Sequence, residues 1–457
     1  MKLAVVVQRY GADINGGAEL HARYIAERLS RHASVEVMTT CARDYVTWKN
    51  ELPAGVEQVN GVTVRRFPVA HERKPRDFGR RSVQVFDKPH SIADELGWLE
   101  SEGPASPALV KHVEQAAPGL DFVVLFSYRY YHAWHLARRI PGKAVIVPTA
   151  ERDPAIGLSI FGPVLRGVRG FMYNSPEERA MIQAAANNAA VPGVVVGVGS
   201  DVPERTDPER FRRTFKMTRP FAIYIGRIDE NKGCPELFSH FQRYAAAFPR
   251  GLDLVLVGSA IIDVPAHPRI HHLGFLDDRD KFDALAASDL LIMPSYYESL
   301  SMVALEAWAL GRPVLANAHC DVLKGQCIRS NAGLYYGSYE EFVEALYSLE
   351  SNGPLNARLG RNGLEFFTGH YAWPVIERKY LDMFNRLKEE LPPKELPPKG
   401  GSYRMEPLPG WFARRRRELP PSREILERIP QGPVVPRDLP PEVELPPKGG
   451  SYGRQSA

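Results

Sequence analysis

The sequence has no long apolar run, few cysteines and no excess of one charge over most of its length. No stretch of about 18 apolar residues occurs among the 457 residues, so a membrane-spanning helix is not predicted. The apolar run at 3–7 is shorter than the roughly 7–15 residues of a secretory signal. The four cysteines, Cys41, Cys234, Cys320 and Cys327, show no CxxC spacing, which excludes a disulfide scaffold. These absences favour a cytoplasmic protein.

The net positive charge is confined to one end of the chain. The whole sequence holds 58 Lys and Arg against 54 Asp and Glu, a net charge of +4. Residues 391–457 hold 12 basic and 8 acidic residues, which accounts for the entire excess, and residues 1–390 are balanced. A balanced body has no basic field that would attract nucleic acid, so nucleic acid is not expected as a partner.

Over the first 390 residues, apolar strands alternate with helices. Many of the apolar runs lack a period of two, which is typical of a parallel sheet covered on both faces. The alternation predicts α/β architecture. A polar stretch with two prolines at 201–219 separates two such domains. The predicted strands are 3–7, 34–39, 62–69, 121–126, 144–147, 170–173, 194–198, 221–225, 252–257, 270–273, 290–293 and 313–316. The predicted helices are 17–32, 106–117, 130–139, 176–188, 234–247, 279–287, 299–310, 339–350, 354–367 and 374–390.

The last 67 residues differ in composition from the rest. They hold 15 of the 39 prolines, and ELPPKGGSY occurs twice, at 395–403 and 444–452. Such a composition predicts a low-complexity, largely disordered tail with extended Pro-Pro-Lys units. Within it, 422–429 is a candidate for one short helix. Trp411 and Phe412, followed by four arginines at 414–417, suggest peripheral contact with a membrane surface or binding to a protein partner.

The segment DLLIMPSYYESLSMVALEAWALGRPVLAN at 289–317 carries the strongest chemical signal. A strand ends at 293, and a helix is predicted to begin near Ser299. The backbone N–H groups of Ser299, Leu300 and Ser301 would then form an anion site suited to a diphosphate. Glu298 stands before this helix and Glu306 about two turns inside it. A carboxylate at the latter position can accept hydrogen bonds from both hydroxyls of a ribose.

A second element, FAIYIGRIDENKG at 221–233, places two cations at the same sheet edge. Gly226 ends the strand and lets the backbone approach a ligand. Arg227 follows directly, and Lys232 precedes the next helix. Two cations at this edge suit a departing diphosphate. The neighbouring strands also run into glycine turns, at Gly258 and Gly274, whose backbone groups could read a nucleobase.

The loop after the first strand, GADINGGAE at 11–19, is rich in glycine without being a dinucleotide fingerprint. Gly16 and Gly17 fall at a helix entrance, and no GxGxxG can be written through them. A nicotinamide enzyme of Rossmann type therefore lacks its phosphate loop. The loop can still approach a substrate closely.

Together these segments resemble the retaining glycosyltransferases of family 4, which belong to the glycosyl transferases group 1 and have the GT-B fold. The resemblance covers residues 1 to about 390. It implies two Rossmann-like, doubly wound domains facing a central cleft: an acceptor domain at 1–203 and a donor domain at 204–373. The helix 374–390 would cross back onto the first domain, and 391–457 would form the Pro-rich tail.

The resemblance also implies a role for each matched residue. Glu306 would bind the ribose and Glu298 the donor sugar, while Arg227 and Lys232 would stabilise the departing nucleoside diphosphate. Gly16 and Gly17 would border the diphosphate and the acceptor. The nucleobase would contact main-chain atoms of Gly274, Phe275 and Leu276. Members of this family need neither a metal nor another cofactor.

The chain departs from the family at two positions. Many members carry glycine where Ser301 stands, and little effect is expected from so small a side chain. Many also carry a histidine after the strand at 144–147, where this sequence reads VIVPTAERDP. Glu151, Arg152 and Asp153 are the candidates for a replacement contact.

The resulting prediction is a retaining hexosyltransferase that uses a UDP- or GDP-sugar and acts in polysaccharide or glycoconjugate assembly. The acceptor would be a saccharide or a lipid-linked molecule. The basic loop at 71–81 could bind a phosphate of such an acceptor or an anionic membrane. Two alternatives stay open: a GT-B sugar-nucleotide epimerase, and a non-catalytic binding or scaffold protein that kept the fold.

Overall fold

Two mainly parallel β-sheets organise the chain in the computed structural model, which describes residues 1–14, 16–390 and 418–435. The strands of the first sheet are β1 Lys2–Val6, β2 Ser34–Thr40, β3 Gly55–Val59, β4 Val62–Phe67, β5 Phe122–Phe126, β6 Ala144–Val147, β7 Gly170–Tyr173 and β8 Gly193–Val195. Those of the second are β9 Phe221–Ile225, β10 Asp253–Val257, β11 Ile270–His272, β12 Leu290–Met293, β13 Val314–Asn317 and β14 Gly333–Tyr336.

Both sheets have the strand order of doubly wound folds. The first runs β3-β4-β2-β1-β5-β6-β7-β8 and is parallel except for the β3–β4 hairpin. The second runs β11-β10-β9-β12-β13-β14 and is parallel throughout. Central strands such as β5 and β9 are buried at every residue, which explains their unbroken apolar sequence. In such sheets, ligands bind at the carboxyl ends of the strands.

Helices cover both faces of each sheet. They are α1 Gly17–Leu29, α2 Pro75–Asp87, α3 Ile92–Glu102, α4 Pro107–Ala116, α5 Tyr131–Arg139, α6 Phe161–Gly167, α7 Pro176–Ala186, α8 Pro208–Thr214, α9 Cys234–Ala247, α10 Asp278–Ala287, α11 Met302–Ala309, α12 Asp321–Ser330, α13 Tyr339–Ser351, α14 Gly353–His370, α15 Trp373–Glu389 and α16 Ser422–Glu427. Short 3-10 helices occur at Ala117–Gly119 and Pro154–Gly157.

Several elements were absent from the sequence prediction: β3, β14, α2, α3, α6, α8 and α12. β3 is an exposed edge strand of polar sequence, so no apolar run marks it. α2 is rich in charged residues and buries only Val85. α8 lies inside the stretch predicted as a linker and packs on α10, where Arg210 pairs with Asp280 and Asp283.

The last long helix, α15, leaves the second domain and packs on the first. Phe384 stacks on Phe122 at a ring-centroid distance of 5.3 Å. The Tyr380 hydroxyl lies 3.4 Å from the His21 ring, and the Lys388 ammonium 3.0 Å from Asp121. This is the crossing that the sequence resemblance implied, and it makes the apolar core continuous between the two sheets.

Part of the Pro-rich tail has a fixed place on the first domain. Residues 418–435 lie against it, and α16 falls within the range expected for a short helix. The disorder predicted for the tail therefore does not extend to this segment. Residues 391–417 and 436–457, with both copies of the repeat and the Trp-Phe-Arg motif, lie outside the described residues. Among the helices of the described ranges, none combines the length and apolarity that a membrane crossing requires.

Candidate functional site

Three glycine turns meet at the carboxyl edge of the second sheet. The Gly226 N–H donates to the Val257 carbonyl at 2.9 Å, and the Gly258 N–H donates to the Gly274 carbonyl at 2.8 Å. A side chain at Gly258 would come within 2.0 Å of the Gly226 carbonyl oxygen, and Gly258 has a φ of 137°. Only glycine fits this close approach. The turns after β9, β10 and β11 thus form one edge, as expected from their sequence.

Arg227 and Lys232 are tied together by a residue that the sequence analysis missed. The buried Asp229 carboxylate pairs with the Arg227 guanidinium through one oxygen. Its other oxygen accepts the backbone N–H of Lys232 at 2.8 Å. An Asp inside a polar turn is common, so the sequence offers no signal that separates this role from ordinary turn chemistry.

Lys232 and Glu298 form an ion pair at the base of the cleft. The Lys232 ammonium lies 2.6 Å from the Glu298 carboxylate, whose side chain is 11% exposed. Burial disfavours the lysine charge, but Glu298 stabilises it and raises the pKa of Lys232 above its ordinary value. An ammonium has three donors, so Lys232 can keep Glu298 and still bind a second anion.

The helix after this pair begins later than predicted. α11 starts at Met302 rather than near Ser299, because the Ser301 side chain caps it by accepting the Ala304 N–H at 3.2 Å. Ser299 and Leu300 therefore belong to the preceding loop. The N–H groups of Met302 and Val303 lie in the first turn, where a helix offers no internal acceptor. The φ of Ser301 is −94°, so this position does not require the glycine of many family members.

Glu306 is buried inside α11 with one oxygen unpaired. Its Oε1 accepts the Ser200 hydroxyl at 2.8 Å and lies 3.2 Å from the Lys281 ammonium. Its Oε2 has no hydrogen-bond partner in the described part of the chain, although the residue is only 4% exposed. A buried carboxylate oxygen without a donor costs free energy, so it marks a place where a ligand hydroxyl can bind.

The glycine loop of the first domain faces this edge. Gly16 precedes α1, and a side chain there would collide with Glu19, which pairs with Arg9 at 2.6 Å. Gly17 begins α1 with open space around it. Arg9 lies over the Tyr45 ring at 5.8 Å, and Tyr45 acts electrostatically on Arg227. Through Arg9 and Tyr45, the neighbourhood of this loop is thus linked electrostatically to Arg227.

Glu151 lies in the wall of the first domain, in the loop after β6 for which the resemblance implied a histidine. Burial and, to a lesser extent, the negative charge of Glu298 raise the pKa of Glu151 to about 7, while Lys232 opposes the shift. Glu151 therefore lies near the Lys232–Glu298 pair. Behind it, the buried Glu178 accepts the backbone N–H of Ala150 at 2.6 Å, and burial raises the pKa of Glu178 to about 8. The sequence analysis named Glu151 as one of three candidates and missed Glu178.

Contacts between the domains bring the two walls together. Besides the Ser200–Glu306 bond, the Asn174 amide lies 3.4 Å from the Ser299 hydroxyl. The buried Glu177 of α7 pairs with Arg329 of α12. The strand ends of the two sheets therefore face one another across a narrow cleft.

The predicted base-contacting residues lie in the turn after β11, at the carboxyl edge of the second sheet. Gly274 has a φ of 72°, and its carbonyl oxygen is committed to Gly258. Phe275 is 72% exposed, whereas Leu276 packs partly on the core. An exposed aromatic beside a strand-end turn is available for contact with a ligand.

The basic loop at 71–81 is not a free cationic loop. α2 begins at Pro75, Arg73 is buried against Glu102 at 2.8 Å, and Arg80 pairs with Asp77. A cavity of about 630 Å³ opens between α2 and α3, lined by acids and bases in equal number. None of the cleft residues lines this cavity. Its balanced charge does not favour the binding of a phosphate.

Two solved structures have the same architecture as this chain. Sucrose-phosphate synthase from Thermosynechococcus elongatus superposes with a TM-score of 0.63, covering 85% of this chain and 99% of its own at 16% identity. The Anabaena protein HepE in complex with UDP-glucose gives a TM-score of 0.62, covering 84% and 100% at 19% identity. At such identities the likeness defines the fold alone. The fold is GT-B, as predicted.

The sequence of the second domain carries the comparison further. Residues 205–366 match the family model of the glycosyl transferases group 1. The lipopolysaccharide core biosynthesis glycosyltransferase LpsE of Rhizobium meliloti (strain 1021) is 29% identical over 175 residues, which is 36% of this chain and 49% of that relative. The chain spans about half the length of the first curated relatives it matches. These matches support the group 1 glycosyltransferase family; assignment to family 4 and retention of configuration stay predictions.

Proposed function

We propose that the protein is a retaining hexosyltransferase that moves a sugar from a UDP- or GDP-sugar to a hydroxyl of a saccharide or lipid-linked acceptor. The buried Glu306 with its unpaired Oε2 is the observation that carries this proposal. A ribose hydroxyl supplies the donor that this oxygen lacks. Ser200 and Lys281 already hold the other oxygen, so the carboxylate is fixed before the ligand arrives.

The cations of the turn after β9 would stabilise the departing nucleoside diphosphate. As the bond between the anomeric carbon and the phosphate oxygen breaks, its electron pair leaves with the nucleoside diphosphate. Arg227, Lys232 and the first turn of α11 oppose the charge that develops there. Lys232 also holds Glu298, which would contact the hydroxyls of the donor sugar.

The new glycosidic bond would form between the acceptor oxygen and the same face of the anomeric carbon. The acceptor proton passes to an oxygen of the departing phosphate, so configuration is retained without an added base. Because protein cations balance the diphosphate, no divalent metal or other cofactor is required in this proposal. HepE, whose structure holds UDP-glucose, gives a precedent for this donor class on the same fold.

A nucleotide screen tests the proposal. UDP or GDP should raise the melting temperature of the wild type in the presence of a chelator, and Glu306→Ala should abolish the shift. Glu344→Ala, an exposed site on α13, is the matched control and should keep it. Absence of a shift with every nucleoside diphosphate would contradict the donor assignment. Binding without release of nucleoside diphosphate from any sugar nucleotide would instead favour the non-catalytic alternative.

The epimerase alternative gains support from one residue. Glu151, with a pKa raised to about 7, supplies the cleft with an acid–base group that the sequence around Thr149 did not suggest. An epimerase would return an intact sugar nucleotide with inverted configuration at one carbon. A transferase would release nucleoside diphosphate and pass the sugar to an acceptor or to water. Analysis of the products from one sugar nucleotide distinguishes the two.

A further inference from the structure

The described part of the tail, residues 418–435, belongs to the first domain. Leu419 and His90 exchange both backbone hydrogen bonds, at 2.7 and 3.0 Å. Leu426 of α16 and Ile429 after it are 8% and 5% exposed and join the core of the first domain. A solvated spacer would not bury these side chains. Their apolar contacts stabilise the docked tail and would be lost if it detached.

Arg152 binds the end of the tail helix. Its guanidinium donates to the carbonyl oxygens of Leu426, Ile429 and Pro430 at 3.0, 2.7 and 3.2 Å. The last carbonyls of a helix have no internal donor, so Arg152 serves as their partner. The planar guanidinium reaches three oxygens at once, which a lysine ammonium in the same place would do less well.

The start of α16 contacts Gly157, at the other end of the loop that carries Arg152. A side chain at Gly157 would come within 2.3 Å of the Ser422 carbonyl oxygen. Gly157 closes the 3-10 helix Pro154–Gly157, and Arg152 lies just before it. The tail therefore contacts both ends of the segment 152–157.

This segment continues directly into the wall of the cleft. Glu151 precedes Arg152, and its carbonyl accepts the Asp153 N–H at 2.8 Å. Two residues earlier, Thr149 has a φ of 48°, which is rare and strained for a β-branched residue. A strained loop holds its shape only if its surroundings fix it, and the tail supplies part of those surroundings.

The end of the tail segment also reaches the second domain. The Val434 N–H donates to Glu177 at 2.9 Å, and the Val434 carbonyl accepts from Arg329 at 2.9 Å. Glu177 and Arg329 are the ion pair that links the domains beside the cleft. One short segment thus contacts the loop of Glu151 and the junction between the domains.

We infer that residues 418–435 are a positioning element of the cleft, which holds the loop 149–157, and Glu151 with it, against Lys232 and Glu298. Arg152 is the positioning residue through which this contact acts. The inference rests on the proposed function insofar as the cleft is the catalytic site. It assigns a folded, functional role to a stretch whose composition predicts disorder.

The test uses the full chain and two variants that release the tail from opposite sides. Arg152→Ala removes three hydrogen bonds, and Gly157→Ala displaces the Ser422 carbonyl without a change of charge. Arg358→Ala, an exposed site on α14 away from the tail, is the control for the first. Gly119→Ala, in a 3-10 helix with open space at its Cα, is the control for the second.

Both variants should speed amide hydrogen exchange in 148–157 and lower kcat for donor turnover by about 10- to 100-fold, since a small displacement in a catalytic site has effects of that size. The KM for the donor should change little, because the nucleotide is held by the second domain. Arg152→Lys should give an intermediate kcat. The controls should match the wild type in all three measurements.

Unchanged loop exchange in both variants would overturn the inference, and so would a lower melting temperature with an unaltered kcat. Failure of the proposed function has a different signature: the wild type itself would show neither nucleotide binding nor turnover. In that case the exchange measurement still decides whether the tail holds the loop.

Discussion

The two domains share a parallel-sheet architecture and differ in what holds their cleft residues in place. In the second domain the neighbours of Arg227, of the Lys232 backbone and of the start of α11 are local in sequence. Asp229 fixes Arg227 two residues before it and Lys232 three residues after it, and Ser301 caps its own helix. The groups that would meet the diphosphate are therefore arranged within single strand-end turns.

In the first domain the cleft wall is held from a distance. The backbone of Ala150 depends on Glu178, 28 residues later, and Arg152 depends on carbonyl groups of the tail more than 270 residues away. The turn that carries Arg227 and Lys232 is thus held locally, although Glu298 and Glu306 pair with more distant residues, whereas the first-domain wall can be altered by changes far along the chain. Substitutions in the second-domain turns and substitutions that affect the first-domain wall should therefore have different effects on activity and stability.

The largest expected effect lies where the two domains meet. Arg329→Ala would leave Glu177 as a buried carboxylate without its cation, and loss of one partner of a buried pair costs about 3–5 kcal/mol of unfolding free energy. Chemical denaturation measures this loss. Arg358→Ala, exposed on α14, should stay within about 0.5 kcal/mol of the wild type. A similar small change for Arg329→Ala would show that the domains do not stabilise one another through this contact.

On the donor side, Lys232→Ala should lower kcat by about 10²–10³-fold, the usual consequence of losing one group that stabilises transition-state charge. Lys232→Arg keeps the charge and should recover part of the loss. The exposed Lys111 of α4 is the control site. If the effect fell on the KM alone with kcat unchanged, Lys232 would serve in binding rather than in stabilising the leaving group.

The difference between the domains also explains what the sequence could predict. The strand-end glycines, Arg227, Lys232, Glu298 and Glu306 could be named as site candidates from the sequence because each stands at a fixed offset from an apolar strand. The same apolar runs predicted where the buried strands lie along the chain, and β9 and β12 match their predicted bounds. Local sequence carries this information because it sets the position of each residue relative to the strand before it.

What the sequence missed depends on contacts between distant residues. Lys281 looks like an ordinary polar residue of a helix face, and only the fold brings it to Glu306. The helix in the linker was missed and the start of α11 was misplaced, because capping by Asp207 and Ser301 outweighed the composition of their surroundings. The docking of the tail has no local signature, since the proline-rich flanks hide the few apolar residues that it buries.

The smallest expected effect is on pH dependence and concerns the first-domain wall. Glu151 has a pKa raised to about 7 by burial and by Glu298, with Asp153 acting in the same direction and Lys232 and Arg129 against it. In the unfolded chain its pKa would be about 4.3. Between these values the folded protein keeps a proton that the unfolded chain has lost. The contribution of Glu151 to the unfolding free energy is therefore present at low pH and is lost as pH rises toward 7.

Glu151→Gln removes this titration, so subtracting its stability curve from that of the wild type cancels the buried histidines such as His132. The charge of Glu151 also raises the pKa of Glu178, so the difference curve reports Glu151 together with its coupling to Glu178. The unfolding free energy of the wild type should fall relative to that of the variant as pH rises from about 5 to 7. Urea titrations at a series of pH values measure the difference, with the exposed Glu344→Gln as control. A flat difference curve would mean that Glu151 is ionised and solvated in the folded protein. It would contradict the burial of Glu151 in the first-domain wall.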